Sequence, residues 1–423
     1  MPAAFKKDIQ YYRFCLYGFF KNLRFFEAFL VLFFLEKGLS FLAIGTLYAI
    51  REITVNIFEV PSGVIADTLG RRRTMILAFI FYILSFFAFF LSEKYFGFLA
   101  AMILFSLGEA FRSGNNKAMI YHYLSVQGWD NQRVHYYGHT RSWSQMGSAL
   151  SALSGAAIVF ISGSYRLIFL FSVIPYILDL ILVATYPAFL DGDLKKFSWS
   201  EVNIKFKKVF RSLVQNIRLL KVLRILGSLS VYSGYYKAAK DYLQPVVAAW
   251  ALSIPLLTGF GNEQRSAIMV GLVFFVVYIF SSMASRSSGS FSDRFSNLAV
   301  PMNLSLAFGL LCGILSGLFY SVDLWSVSVL LFIAIYMIEN IRKPVGVAYL
   351  GNQTDNSVMA SVLSVDSQLK SLVAAVLAPL FGIFADLYGV GWSLFIVSAG
   401  LLFVLPLIRL KPEKASNEQG KKT

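Results

Sequence analysis

The chain has 423 residues, 57% of them hydrophobic and only 14% charged, with a formal net charge of +15. Soluble domains carry about 25% charged residues, so a soluble enzyme is excluded and a protein that crosses a membrane many times is expected. The basic excess suits loops lying against anionic lipid rather than a nucleic-acid partner, and Cys15 and Cys312, both inside apolar runs, exclude a disulfide framework.

Residues 1–13 are polar and basic, and the apolar run after them is too long for the core of a cleaved leader, so an uncleaved first span is expected. Apolar runs of about 20 residues then recur, each long enough to cross a bilayer as a helix. A lone strand could not satisfy its backbone in lipid. About twelve spans are expected, at 14–35, 41–65, 74–92, 97–120, 140–162, 166–188, 225–249, 266–286, 298–320, 325–348, 360–385 and 391–408.

In chain order, span 1 carries Arg24 and Glu27, three apart. Span 2 puts Glu52, Asn56 and Glu59 on one face beside Arg51, and ends in GVIADTLGRR, residues 63–72. The interior of span 3 is bare of charge. Span 4 carries Glu109 and Arg112, with Asn116 just beyond in SGNNKAMIY, 113–121. His122, His135 and His139 fall at or near the loop after it. His135 and His139 are four apart, as two metal ligands on a helix would be, but no acidic or thiol partner is near, and a solvated loop without metal is expected. Span 5 contains GSALSALSGAA, 147–157, small residues that let helices approach closely. Span 6 has a single charge, Asp179.

A long basic segment, 191–224, separates a half at 1–190 from a half at 225–423. Within it Val202, Phe206, Val209, Leu213, Ile217 and Leu220 recur at helical spacing among lysines and arginines, which predicts an amphipathic helix on the inner leaflet. Span 7 carries Lys237, Lys240 and Asp241, with Tyr232, Tyr235, Tyr236 and Trp250 as candidate lining of a solute path. Spans 8 and 9 are bare. Span 10 carries Glu339, Arg342 and Lys343; span 11 has Asp366 and Lys370 four apart; span 12 is bare and a basic tail follows. The basic segments after spans 2, 6 and 12 put both termini in the cytoplasm by the positive-inside rule.

A charge at mid-bilayer costs about 2.5–3.5 kcal/mol on insertion scales, so such residues face the bundle interior or water. Here they concentrate in spans 1, 4, 7 and 10, the first of each consecutive triplet. That period suggests a repeat-built transporter with those helices inside. Charges three or four apart are helix neighbours. Arg24, Arg112, Lys237, Lys240, Arg342 and Lys343 against Glu27, Glu109, Asp241 and Glu339 leave an excess of two positive charges. A mildly positive, mixed cavity suits an anionic or zwitterionic solute, held by Arg24, Glu27, Glu109, Arg112, Asn116, Tyr236, Lys237, Lys240, Asp241, Glu339 and Arg342. The bland alternative is a set of ion pairs that join helices. Glu27, Glu52, Asp241 and Glu339 are the proton-coupling candidates, since a buried carboxylate can load and release a proton near neutral pH. No Walker A loop is present, so ion gradients or downhill flow would drive transport, and no cofactor is expected.

GVIADTLGRR reads G-x-x-x-D-x-x-G-R-R. It resembles the signature between spans 2 and 3 of the major facilitator superfamily, with Thr68 in place of the usual base. A decayed copy, GSFSDRFSN at 289–297, follows span 8: Gly289, Asp293 and Arg294 match, while Ser296 and Asn297 replace Gly-Arg. EVPSGVIAD, 59–67, and YLQP, 242–245, are similar to stretches of bacterial members. The resemblance implies an all-α membrane protein of two pseudo-symmetric six-helix halves that rock about a central site. Gly63, Asp67, Gly70, Arg71, Arg72, Gly289, Asp293 and Arg294 would form a conformational latch. It also implies a bacterial inner membrane, a small-molecule substrate, protons as the coupling ion, and a monomer. GIFADLYG, 382–389, repeats the Gly-x-x-x-Asp-x-x-Gly spacing at the outer end of span 11, as a counterpart of the latch or by chance. Span 5 lacks the proline of drug–proton antiporters. The leading reading is a secondary transporter of an anionic or zwitterionic, amphiphilic or plain, solute. The rivals are a cation or multidrug effluxer and a transporter-like sensor or assembly partner, the last disfavoured by termini of about 13 and 15 residues.

Overall fold

The computed structural model describes residues 7–129, 132–192, 194, 198, 200, 203, 204, 207, 220–295, 297–353 and 356–410. Among the described residues, ten helices are long and apolar enough to cross a membrane. They are span 2 (Phe41–Leu69), span 3 (Arg71–Leu91), span 4 (Tyr95–Arg112 continued by Asn115–Val126), span 5 (Arg133–Ser162), span 6 (Leu167–Ala184), span 8 (Asn262–Arg286), span 9 (Ala299–Ser321), span 10 (Trp325–Gln353), span 11 (Asn356–Tyr388) and span 12 (Val390–Ile408). The predicted amphipathic helix of the midloop lies almost wholly outside the described residues.

Spans 1 and 7 complete the twelve, and both depart from the expected continuous helix. Span 1 runs as a helix over Ile9–Lys21, opens into turns, and resumes at Leu30–Glu36. Span 7 runs over Leu220–Ala239, tightens into a 3-10 turn at Lys240–Tyr242, and continues at Leu243–Ser253. The second break has a local cause. Pro245 has no N–H for the carbonyl four residues earlier, that of Asp241, and its ring crowds that carbonyl. Next to it, the carbonyl of Lys240 accepts a hydrogen bond from the Tyr336 hydroxyl at 2.7 Å. Irregular backbone at membrane depth is tolerated only inside protein, and both breaks lie in the middle of the bundle.

The packing is two-fold in its pattern. Span 1 lies on span 5 as span 7 lies on span 11, span 3 on spans 4 and 6 as span 9 on spans 10 and 12, and span 2 on span 4 as span 8 on span 10. Adding six to each number maps one half onto the other. The halves meet through span 2 on span 11 and span 5 on span 8, a pair of contacts that the same operation exchanges. Lipid tails are as apolar as leucine, so close dispersion contact and hydrogen bonds hold such helices together. In the first half the contact is aromatic: Phe26, Phe33, Phe86, Phe89, Phe98, Phe105 and Phe169 are buried against one another.

The halves close on the face away from the termini. There Gly45 lets span 2 touch span 11, since a Cβ on it would sit 2.4 Å from the Ala378 carbonyl oxygen. Gly382 does the same against Phe41. The Asp386 carboxylate accepts the backbone N–H groups of Phe41 at 2.8 Å and Leu42 at 2.9 Å, capping the start of span 2. GIFADLYG therefore does have a role, joining the halves on the face opposite GVIADTLGRR. Gln264 donates to the Phe160 carbonyl at 2.6 Å, and Phe160 stacks obliquely on Phe260, to seal spans 5 and 8 at the same level. Nearer the termini, Gly63 and Gly289 face no neighbouring atom within 4 Å of a Cβ.

Candidate solute-binding site

The two broken spans face each other across the interface of the halves. Gln244, fully buried just after the break in span 7, accepts the Val31 N–H at 2.8 Å and donates to the Glu27 carbonyl at 3.1 Å. One side chain thus satisfies backbone groups that the break in span 1 leaves free. Around this junction a small cavity of about 30 Å³ is lined by Arg24, Glu27, Arg51, Lys240 and Asp241 with Tyr48, Phe26 and Phe105. Its three bases and two acids leave it mildly positive.

In the first half, the charges of spans 1 and 4 form one knot. Glu109 ion-pairs with Arg24 and, at 2.9 Å, with Arg112. The Tyr82 hydroxyl donates to Glu109 at 2.6 Å and accepts from Arg112 at 3.0 Å. The Tyr176 hydroxyl accepts from Arg24 at 2.8 Å. Two guanidiniums on one carboxylate keep a net positive charge. Between the halves, Lys237 pairs with Glu52 at 3.0 Å and donates to the Ser371 hydroxyl at 3.0 Å. Lys240 lies 3.2 Å from Asp241 and 3.8 Å from Glu27. Arg51 binds Glu52 at 3.2 Å and stacks over Tyr48. Of these charged groups Arg24, Glu27, Arg51, Lys240 and Asp241 line the cavity.

Other candidates are placed elsewhere. Arg342 is 2% exposed and turned into the second half, where it donates to the Met302 carbonyl, to the Ser305 hydroxyl at 2.9 Å and to the Ser228 carbonyl at 2.7 Å. It is walled off from Arg24 and Lys240. Glu339 accepts from the Ser233 hydroxyl at 2.9 Å, and its other oxygen is buried without a partner among the described residues. Tyr236 stands edge-on to Tyr336, beside the break in span 7. Tyr232 and Tyr235 are buried within the second half, the latter hydrogen-bonded to Ser398 at 2.9 Å, and neither lines the junction cavity. Asn116 lies on a separate cavity nearer the termini.

The turn after span 2 is clasped within its own half. Gly70 adopts φ +96°, and a Cβ there would lie 2.7 Å from the Asp191 carboxyl carbon. Asp191 accepts the Arg72 N–H at 2.8 Å, and the Arg72 guanidinium donates to the Tyr186 carbonyl at 2.9 Å. Asp293 and Arg294 of the decayed copy are exposed. Among the described residues no three His, Cys, Asp or Glu side chains converge as metal ligands would.

Tyr82, Tyr176 and Gln244 carry no charge and so stand outside any pattern of intramembrane charge clusters. A lone hydroxyl in a run such as FIFYILSFF, or the single amide of YLQP, was the available signal.

Twelve spans in two halves related by a six-span repeat, joined through spans 2·11 and 5·8, have a counterpart in sequence: the Major Facilitator Superfamily profile matches residues 14–338. The chain belongs to the Major Facilitator Superfamily. A curated relative from Bacillus subtilis (strain 168), the uncharacterized MFS-type transporter YxaM, is 24% identical over 409 residues that cover 93% of each chain. Among solved structures, the nucleoside transporter NupG (D323A mutant) superposes with a TM-score of 0.72 at 14% identity, over 93% of this chain and 97% of that one. A POT family transporter in complex with 5-aminolevulinic acid gives 0.67 at 14% identity, over 94% of each. At such identities the likeness is one of fold. The protein is thus an integral membrane transporter of this superfamily.

Proposed function

We propose that the protein carries a small anionic or zwitterionic organic solute by alternating access, coupled to protons, in a bacterial inner membrane with both termini cytoplasmic. One observation carries the reading: two facing broken spans bring Arg24, Glu27, Arg51, Lys240 and Asp241 to one cavity between the halves. A solute with both signs of charge can replace the ion pairs Lys240–Glu27 and Lys237–Glu52 that join the halves across it. The basic loops support the cytoplasmic assignment of the termini, and the closed face away from them then corresponds to an inward-facing state.

Glu27 and Glu52 are the proton carriers in this reading, because each bridges to a lysine of the opposite half and changes partners when the halves move. A thermal-shift screen of anionic and zwitterionic metabolites on purified protein would find the solute, and uptake into proteoliposomes under an imposed proton gradient would test the coupling. Wild-type uptake that survives both Arg24→Ala and Lys240→Ala, or that ignores the gradient, would overturn it.

A further inference from the structure

Between spans 1, 4 and 5, nearer the termini than the charged junction, lies a second cavity of about 150 Å³. Its wall carries Lys21, Arg112, Lys117 and Arg141, and no carboxylate. Arg112 shares Glu109 with Arg24, so its charge is only part-compensated. Lys21 has no ion pair among the described residues. The Lys117 ammonium rests over the Tyr121 and Tyr137 rings at 5.4 and 5.8 Å, a contact that leaves its charge available. Counting Arg24, five bases face Glu109 and the buried Asp179, an excess of three positive charges if both acids are ionised. The floor is built: Phe14 and Tyr17 are buried, and the Tyr17 hydroxyl and the Asn116 amide oxygen have no hydrogen-bond partner among the described residues. Lys117 and Arg141 are exposed and form the mouth.

Cations gathered in a partly desolvated wall repel one another, and a bound anion relieves that cost while leaving the lysines protonated. The donors are two ammoniums, two guanidiniums and a hydroxyl. Guanidiniums grip two oxygens at once, and ammoniums act as point charges from any side. A carboxylate has too few oxygens to meet that set, while a tetrahedral oxyanion can meet it. We propose that this cavity is a binding site for a phosphate-type oxyanion, on a free solute or on an anionic phospholipid headgroup. For the solute source, the inference rests on the transport reading above and assigns its substrate to the phosphorylated compounds, entered phosphate first.

The test is calorimetric titration of inorganic phosphate into purified protein in uncharged detergent. Saturable binding is expected. Lys21→Gln and, independently, the exposed Arg141→Gln are each expected to weaken it about tenfold, and Lys21→Arg to keep it within about threefold. Absence of binding to the wild type, or equal weakening by Lys94→Gln on the opposite face, overturns the site. In nanodiscs, phosphate binding that vanishes when phosphatidylglycerol replaces phosphatidylcholine assigns the site to a lipid headgroup; binding that persists assigns it to a free solute. Either outcome supports the site. Phosphate binding without transport of any solute would sink the transport reading and leave this site standing, and transport without phosphate binding would do the reverse.

Discussion

Glu109 is the residue on which most of the first half's charge depends. It pairs with Arg24 and Arg112 together and accepts the Tyr82 hydroxyl. Removing one partner of a buried ionic group leaves the others uncompensated, a loss of about 3–5 kcal/mol. Glu109→Gln should therefore lower the thermal unfolding midpoint in detergent sharply as well as abolish transport. Glu27 is different: its side chain is 38% exposed and stands 3.8 Å from Lys240. A loosely held pair of this kind contributes about 1 kcal/mol or less, so Glu27→Gln should cost transport and leave unfolding nearly unchanged. Equal stability losses in the two variants would show that the junction is a structural clasp rather than an exchangeable site. At the turn after span 2, Gly70→Ala meets both a positive φ and the Asp191 carboxyl, and should be destabilising where Gly63→Ala, in open space, is not.

Among the elements, the breaks in spans 1 and 7 decide where charge points. Lys237 and Asp241, four apart, would share a face of an unbroken helix. The 3-10 turn between them sends Lys237 toward Glu52 and Asp241 toward the cavity with Lys240. Pro245→Ala restores the N–H that would let the helix continue through Asp241. It should lower the transport rate severely while leaving the unfolding midpoint equal or higher, and a variant that transports normally would show that the break is incidental. Asp386 offers a second lever. Its carboxylate caps span 2 from the opposite half, and loss of such a cap costs about 0.5–2 kcal/mol. Because the cap exists only while this face is closed, Asp386→Ala should shift the population toward opening there. Cysteines placed along the outer half of span 2 would then react several-fold faster with a membrane-impermeant maleimide.

At the scale of the whole molecule, the proposed alternating-access cycle makes this structure one member of a pair of states. Closure rests on Gly45 and Gly382 at the crossing of spans 2 and 11, and on Gln264 and Phe160 between spans 5 and 8. Gly45→Val would push the halves apart on that face, and is expected to trap the protein open there and stop turnover, read as loss of counterflow with solute binding retained. Orientation can be tested separately. Cys15 and Cys312 are buried and give little background. A cysteine at Lys117 should label from the cytoplasmic side and one at Lys94 from the other, and the reverse pattern would invert the topology.

Span number and the repeat of charge every third span are properties of composition and spacing, and the motif GVIADTLGRR carried the resemblance to the family. Bilayer thickness fixes the length of an apolar run, and the cost of a charge in lipid forces it inward whatever it touches. Which inward direction it takes is another matter. Arg342 and Lys240 look alike in a charge census, yet one is sealed behind Ser228 and Ser305 while the other faces the cavity. Helix breaks, the rotation of each span about its axis and the approach of the two halves set that choice. These depend on partners hundreds of residues away, such as Gln244 on Val31 and Asp386 on Phe41. Only the tertiary structure decides them, because the energy that selects one packing lies in contacts that no single stretch of chain contains.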